Sequence, residues 1–290
     1  MKRFMFLFVM IGLMCVVQAE PPKQKIRAFH IGNSLTFGEM SGLSGFMGSR
    51  GSTYEYGWHV LWGKGLSEIW EKSGAPSDKA AKYGAFKDAL ANNEWDVLTL
   101  QSWGAVFEGE KGDVVMAKKF IELALKKSPD LQVYIYETWP FKDKAGKIDF
   151  AAKWAREFPK PGQWDSVYNS TYCKVLVDRL NKDMPDLKKP VRLIPAGSVI
   201  SELDKQARAG TVPGIKQIEE LYKDDIHMGP AGVYLVRCVF YSVIMKDNPV
   251  GLPGAGKDVP DELSKIFQET AWKVVGGLEM TGAATAKDSK

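Results

Sequence analysis

The chain holds three histidines. One of them, His227, follows Asp224 at a spacing of three in the stretch Asp224-Asp225-Ile226-His227-Met228-Gly229-Pro230. Near the other end of the chain an apolar run closes in Ile31-Gly32-Asn33-Ser34-Leu35-Thr36, which puts a serine where a strand would turn into a helix. A serine hydroxyl is a poor nucleophile until a base takes its proton. An imidazole serves as that base when an acceptor on its other nitrogen holds the right tautomer. Ser34, His227 and Asp224 supply those three parts, and their chemistry would be acyl transfer through a covalent intermediate. Asp225 is the rival for the carboxylate role, its other reading being a solvated loop residue. His30 and His59 fall inside strand-like runs and read as packed or hydrogen-bonded side chains.

Residues so far apart react together only if the fold gathers them. Strand-like runs occur at Ile26 to Ile31, Tyr54 to Trp62, Trp95 to Gln101, Leu131 to Tyr136 and Val191 to Ile194. Helical patterns lie between them, clearest over Val114 to Lys127, with Asp113 as N-cap and a stop at Pro129, and over Ser166 to Met184. Pro230 opens a further helix to about Lys246 in the N1 position proline favours, and a last one spans Asp261 to Leu278. Short β-rich runs alternating with helices predict an α/β three-layer sandwich around a mostly parallel five-stranded sheet. In such a sheet the reactive groups collect beyond the carboxyl ends of the strands. Ser34 follows the first strand, Gly63 and Gly65 the second and Gln101 the third, while Asp224 and His227 precede the Pro230 helix. All can therefore share one edge.

The segment Gly32-Asn33-Ser34-Leu35-Thr36 resembles the first block of the SGNH (GDSL-type) hydrolases, in the branch where asparagine replaces the usual aspartate before the serine. Asp224-x-x-His227 followed by Gly232 resembles that family's last block, and the likeness runs in order and spacing across roughly the whole mature chain. The resemblance implies a flavodoxin-like fold and a serine ester hydrolase that needs no cofactor. It assigns Ser34 as nucleophile, His227 as general base and Asp224 as the residue that orients the imidazole. For the developing oxyanion it implies the backbone N–H of Ser34 and a glycine from Trp62-Gly63-Lys64-Gly65, with Gly63 first in line. The alternative is that these glycines only make a turn. The chain departs from the family after the third strand, where Gln101-Ser102-Trp103-Gly104 stands in place of Gly-x-Asn-Asp. The Gln101 amide is either a substitute oxyanion donor or a buried tether between loops.

The termini set the context. Lys2-Arg3, an apolar or glycine run from Phe4 to Val17, and Val17-Gln18-Ala19 form the pattern of a signal peptide over residues 1–19. The apolar run is shorter than the roughly 20 residues that span a bilayer. The expected product is a secreted or periplasmic domain over residues 20–280 with a loose tail at 281–290, free of the membrane after cleavage. Loss of Lys2 and Arg3 lowers the formal net charge from +4 to +2, with lysines scattered among acids, which argues against a nucleic-acid partner. Cys173 and Cys238 lie in apolar helical patterns and read as buried thiols, with a bridge as the alternative. Dispersed histidines and the lack of a Cys-x-x-Cys or His-x-x-x-His pair argue against zinc.

Nine tryptophans include Trp62, Trp103, Trp139 and Trp164 near the expected edge. Indole faces stack on sugar C–H surfaces, and Trp103 and Trp139 are the first candidates for substrate contact; ordinary packing is the alternative. The expected substrate is a small-molecule or glycan ester, most simply a carbohydrate O-acetyl or similar short-acyl ester. A lipase or thioesterase, and a catalytically silent sugar-binding protein on the same fold, are the competing readings.

Overall fold

The computed structural model describes residues 24–40, 42–77, 79, 81–103, 106–156 and 168–283. The expected signal peptide, Trp164 and positions 284–290 of the expected tail lie outside them.

The chain runs β1 (Lys25–Gly32), α1 (Ser34–Met40), α2 (Leu43–Ser49), β2 (Thr53–Val60), α3 (Leu66–Glu71), α4 (Phe86–Asn92), β3 (Val97–Gln101) and α5 (Asp113–Leu125). It continues through β4 (Gln132–Glu137), α6 (Phe150–Trp154), α7 (Tyr172–Asp183), β5 (Arg192–Pro195), α8 (Ala196–Arg208), α9 (Pro230–Met245) and α10 (Asp261–Gly277). The five strands pair in the order β2-β1-β3-β4-β5, and every pairing is parallel. This is the flavodoxin-like order, with the topological switch between β1 and β3. Ser34 leaves one side of that crevice, and Gln101 ends the other.

The period of two along each strand divides the core between the two faces of the sheet. Ala28, Tyr54, Val97, Tyr134, Tyr136 and Ile194 pack against α2, α8, α9 and α10. Phe29, Ile31, Leu98, Leu100, Val133, Ile135 and Leu193 pack against α3, α4, α5 and α7. Both faces are covered, so β3 is buried along its whole length. Cys173 on α7 and Cys238 on α9 are free and buried in opposite layers.

Several expected boundaries move for physical reasons. The second strand stops at Val60 rather than Trp62, because Lys64 N–H donates to Leu61 O at 3.1 Å and turns the chain. Gly63 sits in that turn with φ +64°, a conformation glycine adopts without strain. Asp113 is the first residue of α5 rather than its cap; its buried carboxylate accepts from Tyr172 Oη at 2.7 Å. The loose tail does not begin at Thr281. That side chain is fully buried and donates to Val275 O and Leu278 O at 2.9 and 2.8 Å. Helix α8, absent from the sequence-based expectation, follows β5 with no intervening loop. Among the described residues no helix is long and apolar enough to cross a membrane, and no three or more His, Cys, Asp or Glu side chains are grouped to hold a metal ion.

Candidate active site

The serine turn is built from Asn33. Its backbone carbonyl accepts from Thr36 N and Phe37 N at 3.0 and 3.2 Å, and its Oδ1 accepts from Leu35 N at 3.0 Å. These bonds start α1 and carry Ser34, half-buried, out of the strand. The turn is joined to the loop after β2: Asn33 Nδ2 donates to Lys64 O at 3.3 Å and Leu61 N donates to Gly32 O at 3.1 Å. Gly32 has no room for a side chain. A Cβ there would meet Thr36 Oγ1 and would lie 2.6 Å from Gln101 Oε1.

Gln101 is placed differently from the expected oxyanion donor. Val97, Thr99 and Gln101 share one face of β3 by the strand's pleat, so the side chain runs beneath α1 rather than out over the sheet edge. Its Oε1 accepts from Asn33 N at 3.1 Å and from Thr36 Oγ1 at 2.5 Å, while its Nε2 donates to Asn33 Oδ1 at 2.9 Å. A backbone N–H can only donate, which fixes which end of the amide is oxygen. The side chain is 1% exposed, and its amide is committed to Asn33. The geometry is that of a buried tether between β3 and the serine turn.

Asp224 and His227, the expected acid–base pair, sit on the loop before α9. Its ends are tied by Lys223 N to His227 O at 2.8 Å and Gly229 N to Leu221 O at 2.7 Å. Asp224 Oδ1 accepts from Ile226 N and His227 N at 3.0 and 2.8 Å, which folds the loop around the carboxylate. Its partial burial would raise the carboxyl pKa. The two backbone donors and the imidazole outweigh that and bring it down to about 2. His227 Nδ1 lies 3.0 and 2.9 Å from the two oxygens of Asp224, and Nε2 lies 2.8 Å from Ser34 Oγ. With the proton on Nδ1 donated to the carboxylate, Nε2 is left to accept from the serine hydroxyl. Asp225 is exposed, and its backbone carbonyl accepts from Lys142 N at 2.7 Å; the carboxylate beside the imidazole is that of Asp224.

Trp139 is fully buried, with Nε1 donating to Ile226 O at 2.7 Å. The expected substrate contact is therefore corrected: the indole braces the histidine loop from below. Tyr222 Oη donates to Pro140 O at 2.7 Å and ties the same two segments together. Trp103 is half-buried, with its ring 5.7 Å from that of Tyr168. The most exposed indole near the serine is Trp62 at 45%, packed edge-on at 5.4 Å against Phe37, itself 38% exposed. Phe37 lies three residues after Ser34 in α1, hence on the same helix face. Sequence reasoning passed over Phe37, Thr36 and the hub role of Asn33. The i, i+3 spacing from Ser34 was the available signal for Phe37.

The other histidines are structural. His30 is buried between Thr99 Oγ1 at 2.7 Å and Tyr54 Oη at 2.9 Å, and burial pushes its pKa down to about 3. His59 Nδ1 accepts from Phe86 N at 2.9 Å, and burial lowers its pKa to about 4.

The chain is similar in fold to a DUF4886 family protein from Bacteroides uniformis. The TM-score is 0.59 at 15% identity, covering 87% of this chain and 95% of that one. Weaker likenesses include a candidate GDSL-like lipase from Parabacteroides merdae, with TM-score 0.44, 15% identity, and 78% and 98% of the two chains covered. Another is a Clostridium thermocellum family 3 carbohydrate esterase, with TM-score 0.43, 12% identity, and 77% and 98% covered. No family model and no curated protein sequence matches the chain.

Proposed function

We propose that the protein is an exported serine ester hydrolase of the SGNH type, acting on short-acyl, most simply O-acetyl, esters of carbohydrates. The observation that carries the reading is the continuous Ser34–His227–Asp224 hydrogen-bond relay. Ser34 Oγ attacks the ester carbonyl as His227 Nε2 takes its proton. The imidazolium, held by Asp224, then returns the proton to the leaving alcohol. Water repeats the sequence on the acyl-enzyme, so the ester is cleaved to an acid and an alcohol. The developing oxyanion is met by the backbone N–H of Ser34 and by that of Gly63. Gly63 fits because Lys64 N and Gly65 N in the same turn already donate to Leu61 O and Glu68 Oε2.

The substrate class rests on the edge beside the serine. Trp62 and Phe37 offer a small, exposed aromatic surface of the kind that stacks on a sugar ring while leaving its hydroxyls in water. They replace Trp139 in that role, with Trp103 as the second contact. The test has two parts. A fluorophosphonate should label the wild type and not Ser34→Ala, and Ser34→Ala should lose ester hydrolysis by several orders of magnitude while remaining folded. Hydrolysis of acetylated glycans should exceed that of p-nitrophenyl esters of long-chain acids. A preference rising with acyl length would make the protein a lipase or thioesterase, and an unlabelled, inactive wild type would make it a binding protein.

A further inference from the structure

Asn33 and Gln101 form a reciprocal amide pair. Asn33 needs an acceptor end for Leu35 N and Gln101 Nε2, and a donor end for Lys64 O. Gln101 needs an acceptor end for Asn33 N and Thr36 Oγ1, and a donor end for Asn33 Oδ1. A carboxylate at position 33 could not satisfy this pattern, since one of its oxygens would face the carbonyl of Lys64. A shorter amide at position 101 would draw back from both Asn33 N and Thr36. Gly32 leaves the space through which Gln101 reaches Thr36. Asn33, Thr36 and Gln101 are all buried, so substrate touches none of them.

We propose that the Asn33–Gln101 pair, locked by Thr36, is a positioning device for the reaction. It holds the Ser34 turn against the Gly63–Lys64 turn, and so sets the angle of Ser34 Oγ and the separation of the two backbone donors that receive the oxyanion. Gln101 acts through Asn33 and Thr36, at the strand end where a direct side-chain donor was expected. The proposal rests on Ser34 being the nucleophile. Its physical basis is that the two oxyanion donors sit on separate segments, one at the first residue of α1 and one in the turn after β2, and that Asn33, held by Gln101, joins those segments through its bond to Lys64 O. Misplacement of a reacting group by about 1 Å can cost on the order of 100-fold in rate.

The test uses the full chain with Gln101→Leu, Thr36→Val and the double variant, with kcat measured per fluorophosphonate-titrated site on p-nitrophenyl acetate. Each single change should lower kcat about 10- to 100-fold with KM within about twofold. The double should be no worse than the more damaging single, because the members of one network do not add. Thr36→Ser, which keeps the hydroxyl, should restore the rate, and this pair decides the matter if Gln101→Leu does not fold. An unchanged kcat per titrated site with only a lower melting temperature would overturn the proposal and leave Gln101 a tether of the fold. So would a large loss in Gln101→Leu beside a normal Thr36→Val, which would make the amide a direct oxyanion donor. Undiminished hydrolysis by Ser34→Ala would overturn the serine reading itself, an outcome distinct from the other two.

Discussion

Asn33, Thr36 and Gln101, which support the Ser34 turn, are each at most 1% exposed, whereas Asp224 and His227 keep 47% and 40% of their side chains open to solvent. The first set is made of neutral amides and a hydroxyl that satisfy one another, so it can be buried without an uncompensated charge. The second contains a carboxylate, whose burial would be opposed by desolvation. It is held by backbone donors within its own loop and by an indole beneath that loop. Precision on the serine side comes from core packing, and on the histidine side from a short, self-folded loop. Removing a part should therefore have different consequences on the two sides.

The largest effect is expected in the exposed half. Asp224→Asn should lower kcat by about 10³- to 10⁴-fold, because an amide can favour the wrong imidazole tautomer. Asp225→Asn should stay near wild type, since its carboxylate does not face the imidazole. Steady-state kinetics of the two variants would break the assignment if their effects were reversed. A middle-sized effect is expected from Trp139→Phe. That change keeps a buried ring and removes one donor to Ile226 O, a bond worth about 1 kcal/mol net. A several-fold fall in kcat with little change in KM would sharpen the view of the indole as a brace. A rise in KM alone would return it to the substrate site.

The smallest effect on activity is expected at the end of β4, where Glu137 is fully buried and accepts from Ser198 N at 2.8 Å. Burial raises its pKa from the ordinary 4.5 to about 7, against the pull of that backbone donor. A raised carboxyl pKa lends stability that is complete below pH 4.5 and is lost as pH rises through about 7. Glu137→Gln abolishes that titration. Its unfolding free energy relative to wild type should climb between pH 4.5 and 7 by on the order of 3 kcal/mol. Denaturant melts across that range, giving parallel curves for the two proteins, would show that Glu137 does not titrate there.

Period and punctuation made much of this legible in advance. All five strands were readable from β-rich runs, and Pro230 marked the start of α9. The Asp-x-x-His spacing suits a loop that folds back on its own carboxylate, and the structure shows Asp224 receiving Ile226 N and His227 N. What stayed hidden depended on direction in three dimensions. That Gln101 ends β3 was readable; that its pleat position aims it beneath α1 required knowing which layer α1 occupies. Trp139 and Trp62 are the same residue type near the same edge, yet one is buried and the other is the most exposed large apolar side chain described. Local composition does not separate them, because burial was decided by the histidine loop closing over Trp139.

The hydrogen bond between Ser34 and His227 joins residues 193 positions apart. Closing so long a loop has to be compensated by the contacts of the whole sheet, since nothing local brings the two ends together. A partly folded chain that has built only β1, β2 and β3 carries Ser34 and its amide support but not His227. A fragment comprising the loop before α9 and the last helices carries His227 without Ser34. If Ser34 and His227 act together as proposed, turnover is a readout of completed topology. On the proposed reading, the Ser34 hydroxyl gains its base only when the last third of the chain docks.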